Sequence, residues 1–480
     1  MSEHFTLMIP GAKAAERVEI RAPFDQSVIA TVDKAGWEAL ETALARAYAL
    51  YLERDNWIPK PERLAILSRL KTLLAERHEA LSVEAAREGG KPLIDSRVEV
   101  TRAIDSIQVC IDAMRTEGGK EIPMNVNAAS LGKLAVTRRE PLGVVVAYSA
   151  FNHPVNLIAH QVGPAIAAGC PVIVKPAEAA PLSCFRFVKL LHEAGLPEEW
   201  CQACLVSGHD LSVRLISDKR VAFLSFIGSA EVGWMLRSKL APGARCSLEN
   251  GGVAPVIVDE TADLDAAIEP LAKGGFYHAG QVCVSVQRIY VHESVAEEFA
   301  EKLAARAKRL VVGDPTLDTT EVGPLIRPKE VDRVETWVQE AVDHGTKLLC
   351  GGKRISDSCY ECTVLFNPAD DLMVSREEVF GPVVCVYSYK NIDKAIERAN
   401  ALPYSFQAAI YTNDLNTAMR GYARLNGSAI MVNEHTAFRV DWMPFGGLKE
   451  SGLGVGGIPY TYHDMTIEKM LVIKSGELRL

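Results

Sequence analysis

The chain has 480 residues, 48% of them hydrophobic and 24% charged, and a net charge of −9. That is enough apolar material for two or three domains with their own cores. With no basic block, nucleic acid is excluded as an expected partner, because phosphate neutralisation needs clustered Lys and Arg. The first twenty residues mix charges of both signs around no apolar core and do not read as a secretory signal. From about Pro61 to Ala113, leucines at 64, 67, 70 and 74 recur at helical steps. Gly89-Gly90-Lys91-Pro92 separates that helical stretch from a second running through Arg102 and Ile111.

From Pro141 to Val174 there is no Asp, Glu, Lys or Arg. Pro154, Gly163-Pro164, Gly169 and five polar residues between Asn152 and Gln161 rule out a membrane span, so the stretch reads as strand, helix, strand in a soluble core. Apolar runs at 143–148, 171–174, 203–206 and 222–227 alternate with helical segments from Pro154 to Ala168, from Pro181 to Ala194 and after Ala230. Such alternation means βαβ units and a parallel, doubly wound sheet. It resumes after Pro255 as a second α/β unit, with strands at 256–258 and 288–291 and helices from Asp263 and from Ser294 to Leu310.

Eleven cysteines point to free thiols in a reducing compartment. The pairs Cys201/Cys204 and Cys359/Cys362 have a metal-like spacing. In an extended segment residues three apart face opposite ways, so no metal site is expected.

Three segments carry chemistry. Gly228-Ser229-Ala230-Glu231-Val232-Gly233 joins a strand to a helix, and the N–H groups there suit a diphosphate; a plain turn also needs glycine. Leu248-Glu249-Asn250-Gly251-Gly252 places a carboxylate before two glycines, either a buried general base or a solvated turn acid. Gly280-Gln281-Val282-Cys283 puts a cysteine on a turn, either an exposed nucleophile or one more buried thiol.

Taken with Phe151-Asn152-His153-Pro154, Val174-Lys175-Pro176-Ala177-Glu178, Glu378-Val379-Phe380-Gly381-Pro382 and Pro444-Phe445-Gly446-Gly447-Leu448-Lys449-Glu450-Ser451-Gly452, these segments resemble, in order, the aldehyde dehydrogenase superfamily. Gly90-Lys91-Pro92 and Gly323-Pro324-Leu325-Ile326 also match, and the likeness runs from about Pro61 to the C-terminus. It implies an α/β fold: a Rossmann-type cofactor domain over 1–123 and 142–249, an α/β catalytic domain over 250–445, and a small β oligomerisation arm over 124–141 and 460–480. It implies Cys283 as nucleophile, Asn152 as oxyanion donor and Glu249, 34 residues before the cysteine, as base. Lys175, Glu178, Gly208, Gly228, Ser229, Glu378 and Phe380 are implied as cofactor contacts for NAD, with NADP as the alternative.

The reaction implied is oxidation of a small polar aldehyde, carrying an anionic or a hydroxyl group, to its carboxylate through a thiohemiacetal and thioester. The alternatives are acyl transfer to coenzyme A, against which Glu249 argues, and a non-catalytic descendant, against which the retained Cys283, Asn152 and Glu249 argue. Carried over position by position, the substrate wall holds Arg102, His153, His160, Arg439 and Phe445. Phe438-Arg439-Val440-Asp441-Trp442-Met443 and Ile458-Pro459-Tyr460-Thr461 look like the branch handling lactaldehyde, semialdehydes and phosphonoacetaldehyde. Asn250 replaces the usual leucine beside the base, and Gly454-Val455-Gly456-Gly457 lacks the frequent Arg-Glu pair. The tail Lys469–Lys474 reads as a strand, which in this family extends a neighbour's sheet, so a cytoplasmic homodimer or homotetramer without membrane contact is expected.

Overall fold

A computed structural model describes residues 3–478. Residues 1–2 and 479–480, at the outer ends of the expected cofactor and oligomerisation segments, lie outside the described residues.

Two central sheets dominate. The first is built from Val144–Tyr148, Val172–Lys175, Cys201–Ala203, Val221–Ile227 and Arg245–Glu249, all parallel, with Gly452–Leu453 returning antiparallel at its edge. Numbered along the chain, the five parallel strands lie in the order 3-2-1-4-5. The order reverses between Val144–Tyr148 and Val221–Ile227, and in such sheets ligands bind at that switch point, outside the carboxyl ends of the strands. The second sheet has seven strands around Ala254–Val258 and Val286–His292, parallel except for the edge strand Lys347–Cys350. Their runs of Val, Ile and Tyr are buried because helices cover both faces.

The helical stretch before Gly90 is two helices, Lys60–Glu76 and His78–Gly89, divided at Arg77, whose non-helical backbone no proline or glycine announces. Gly90 ends the second in the left-handed region (φ 76°), and Leu93–Thr116 follows. The expected run at 203–206 is also divided. Cys201–Ala203 stays in the first sheet, whereas Leu205–Val206 pairs with Lys34 and Ala35 in a separate four-stranded N-terminal sheet. A separate three-stranded sheet joins Glu121–Ile122, Lys133–Pro141 and Thr466–Lys474 in antiparallel register. The tail is therefore a strand, paired within the chain on one side. Among the described residues no helix is long and apolar enough to cross a membrane.

Candidate active site

A cavity of about 540 Å³ opens at the switch point of the first sheet. Its wall brings together Asn152, His153, Gly228, Ser229, Glu249, Cys283, Glu378, Phe380, Arg439 and Phe445. Residues more than 280 positions apart in sequence thus meet in one space of ordinary ligand-site size.

Cys283 reaches it through a strained turn. Helix Leu264–Phe276 ends, and His278, Ala279 and Gly280 follow with φ of 51°, 54° and 71°. A Cβ on Gly280 would stand 2.2 Å from the Gly381 carbonyl, so only glycine fits. Gln281 fastens the turn: its amide donates to the carbonyls of His278 and Pro324 (both 3.1 Å), and its side-chain oxygen accepts from Ile326 N–H (2.9 Å). The Gln281 carbonyl takes the Asn152 Nδ2–H at 3.0 Å, which sets Asn152 beside the cysteine turn.

Glu249 is the last residue of its strand, and its Oε1 lies 4.0 Å from Cys283 Sγ. Burial raises its pKa, opposed by Arg439 and Arg102. Burial and then Glu249 push the Cys283 thiol well up, and Arg439 opposes them. Arg439 Nη1 is 3.9 Å from the same Glu249 oxygen, its guanidinium sits 3.5 Å above the Phe445 ring, and its Nε has no partner. Burial lowers its pKa, the mark of a cation short of compensation.

Two expected substrate residues are placed differently. His160 lies behind the wall. Burial lowers its pKa to about 4, so the neutral ring donates Nε2–H to Asp441 (2.7 Å) and offers Nδ1 to Arg439 Nη2 (3.4 Å). Arg102 does line the cavity, but Asp441 grips it bidentately at 3.0 and 2.7 Å, so its charge is neutralised within the protein. Asp441, which also accepts from Asn156 Nδ2 at 3.1 Å, is the hub that sequence reading passed over. Its only signal was the alternation with Arg439 two residues earlier.

Lys175, Glu178 and Gly208 do not line this cavity. Lys175 ends its strand with Nζ 5.3 Å over the Tyr148 ring, Glu178 pairs with Lys34 at 3.1 Å, and Gly208 (φ 92°) starts helix His209–Ile216. The residues present nonetheless suit a dinucleotide. Ser229 begins helix Ala230–Arg237 at the wall, where free N–H groups favour a diphosphate. Glu378 is a half-buried carboxyl whose pKa is raised to about 7 by desolvation, and it accepts from Gly252 N–H at 2.9 Å. A carboxyl of that kind suits ribose hydroxyls.

Known proteins share this architecture. The aldehyde dehydrogenase family model matches residues 10–471. The 3-sulfolactaldehyde dehydrogenase of Priestia aryabhattai is 38% identical over 459 residues, covering 96% of this chain and 95% of the relative. Aldehyde dehydrogenase 21 of Physcomitrella patens, solved with the reaction product succinate, superimposes with a TM-score of 0.94 at 34% identity, covering 99% of each chain. Glyceraldehyde-3-phosphate dehydrogenase of Methanocaldococcus jannaschii, solved with NADP, gives 0.91 at 34% identity over 95% of this chain and 99% of that one. A family match over nearly the whole chain, on a cavity that gathers a thiol, a carboxylate and a dinucleotide-type helix start, identifies the chain as a member of the aldehyde dehydrogenase family and an NAD(P)-dependent aldehyde dehydrogenase.

Proposed function

We propose that the chain oxidises a short aldehyde bearing an anionic group to its carboxylate, by way of a thiohemiacetal and a thioester on Cys283. The observation that carries this is the convergence of Cys283 Sγ and Arg439 Nη1 on one Glu249 oxygen, at 4.0 and 3.9 Å. Cys283 passes its proton to Glu249 and attacks the aldehyde carbon, and the carbonyl oxygen gains the negative charge. Asn152 Nδ2 and the Cys283 N–H supply donors for that oxygen, each worth about 3–4 kcal/mol of barrier. When bound, the nicotinamide supplies a hydride acceptor. Glu249 releases the thiol's proton to solvent and then takes one from water, whose oxygen adds to the thioester; the C–S bond breaks, the Glu249 proton returns to the sulfur, and the acid leaves as its carboxylate with its own proton released to solvent. Gly228 and Ser229 would hold the cofactor's diphosphate, Lys175 and Glu178 the adenosine ribose beside Gly208, and Glu378 and Phe380 the nicotinamide end.

Arg439 sets the substrate. A buried guanidinium with an unpartnered Nε is completed by an anion. Because the sulfur and the guanidinium lie 4.0 and 3.9 Å from one oxygen, a single short molecule can present its aldehyde to one and its anion to the other. The relatives' names accord with this, since sulfolactaldehyde, succinate and glyceraldehyde 3-phosphate are all anions. Arg439→Ala should lower kcat/KM for sulfolactaldehyde or succinate semialdehyde about 100-fold and leave propanal within about threefold. Steady-state rates across both groups test this. Hexanal or benzaldehyde as the best substrate, or a ranking unchanged in Arg439→Ala, would sink the reading.

Glu178 bears on the cofactor. Its carboxylate repels a 2′-phosphate, yet Lys34 sits against it, so the repulsion is partly cancelled. NAD⁺ should be preferred, and Lys34→Ala should sharpen the preference by lowering kcat/KM for NADP⁺ about tenfold, with NAD⁺ within about twofold. A gain in NADP⁺ use on removing Lys34 contradicts it.

The reading extends to assembly. Met470 to Ile473 are 44–57% exposed on a strand whose outer edge is unpaired among the described residues. Such an edge suits a second copy of the chain, giving a homodimer or a dimer of dimers. Light scattering at micromolar concentration should return a multimer; a monomer mass overturns it.

A further inference from the structure

Behind the cavity lies an ion pair that the proposed chemistry does not use. Lys91 Nζ meets Glu99 Oε2 at 2.5 Å, and the two side chains are 2% and 1% exposed. The other Glu99 oxygen accepts from two consecutive backbone N–H groups, Val155 at 2.8 Å and Asn156 at 3.0 Å. These open helix Asn156–Ala168, whose own N-cap position provides no side-chain acceptor. A carboxylate at that place satisfies donors the helix leaves free and opposes its dipole. The preceding residues, 151–154, carry Asn152.

The turn holding Lys91 packs on the same segment. A Cβ on Gly89 would lie 3.6 Å from the Phe151 carbonyl and 3.7 Å from Pro154. On its other side the turn is pressed against the Gly323-Pro324 loop: a Cβ on Gly323 would stand 1.9 Å from the Gly90 carbonyl. Pro324 in turn accepts from the Gln281 side chain, and the Gln281 carbonyl accepts from Asn152. Asn152 is thus held from two directions, by Glu99 through the backbone that follows it and by Gln281 through its own amide. Buried ion pairs seldom raise stability over apolar residues of the same size, so stability alone is a poor account of this one.

We infer that the Lys91–Glu99 pair is a positioning device for the oxyanion site: Glu99 fixes the backbone that aims the Asn152 amide, and Lys91 supplies the opposite charge that keeps Glu99 there. The inference rests on the proposed role of Asn152. It also gives a physical reason for the Gly90-Lys91-Pro92 and Gly323-Pro324 motifs, which touch no reacting atom.

The test compares Glu99→Ala, Glu99→Gln, Lys91→Met/Glu99→Gln, Asn152→Ala and Glu99→Ala/Asn152→Ala in the full-length enzyme with NAD⁺. Two rates are read: single-turnover acylation by aldehyde, and alkylation of Cys283 by iodoacetamide, which needs no oxyanion donor. Glu99→Ala should slow acylation about 100-fold, much as Asn152→Ala does, with alkylation within about threefold. In the Asn152→Ala background the same change should cost less than about threefold, because its target is already gone. Lys91→Met/Glu99→Gln should recover to within about tenfold of wild type, since the glutamine oxygen accepts both N–H bonds and no charge stays buried. That rescue, measured against Glu99→Gln alone, carries the test if Glu99→Ala does not fold. Wild-type acylation in the Glu99 variants, additive losses with Asn152→Ala, or alkylation falling in step with acylation overturns the inference. Full acylation in Asn152→Ala overturns the oxyanion reading beneath it.

Discussion

Cys283→Ala should abolish aldehyde oxidation, by at least about 10⁴-fold in kcat, while cofactor affinity stays within about threefold. The size of the effect follows from the absence of a stand-in. Of the eleven cysteines nine are buried, Cys246 lies on a different strand, and among the described residues Cys283 alone of them lines the cavity. Serine at 283 should fare little better, because its hydroxyl is far less nucleophilic and Glu249 would have to ionise a much weaker acid. Steady-state NADH formation and cofactor titration by fluorescence check both halves. A variant keeping a tenth of the wild-type kcat removes Cys283 from the role of nucleophile.

Glu249→Gln should separate the two halves of the cycle. The first turnover proceeds, slowed by loss of the group that receives the thiol proton, and hydrolysis of the thioester then stalls by about 10³-fold. Rapid quench with mass spectrometry should find the acyl group on the peptide containing Cys283. No acyl-enzyme at any time point would give Glu249 a different main role. The pH profile carries the same information. Burial raises the Glu249 pKa above its ordinary 4.5, and Arg439 and Arg102 pull it back. A carboxylate with a raised pKa loses its base form at higher pH, so the acid limb of kcat should lie above the usual carboxylate range. Arg439→Ala, assayed with a neutral aldehyde, should move that limb further up.

The meeting of Glu249 and Cys283 in one cavity was legible in the sequence because each sits beside glycines in a motif of its own. Glu249 closes a short, mostly polar strand one residue before two glycines, and Cys283 follows a glycine turn. Their separation along the chain is short enough to read as one pattern. The substrate wall was legible only in part. Arg102 and Arg439 were placed on the wall by likeness of position, but the partner that divides their fates, Asp441, meets Arg102 across 339 residues. No local period reports such a contact. His160 shows the same gap: its helix, Asn156–Ala168, is buried all round, so no polar face told which way the ring points. The N-terminal sheet was missed because Ala14–Arg21 is mostly exposed and half its residues are charged, whereas its partner Val28–Ala35 supplies most of the buried side chains. The division at Leu205 depends on that sheet, so it was hidden with it.

One pairing at the edge of the first sheet has a consequence for synthesis. The strand ending in Glu249 gains its outer neighbour only from Gly452–Leu453, with Glu249 opposite Gly452 and Asn250 N–H bonded to the Ser451 carbonyl at 2.9 Å. A nascent chain that has already made the residues up to Glu249 still lacks that neighbour for some two hundred codons, about ten to forty seconds at ordinary translation rates. Through that interval the edge beside Glu249 is open, and a ribosome stalled before codon 451 would display Cys283 with Glu249 not yet seated. The strand that carries Glu249 is therefore completed only some two hundred residues after its own last residue is made.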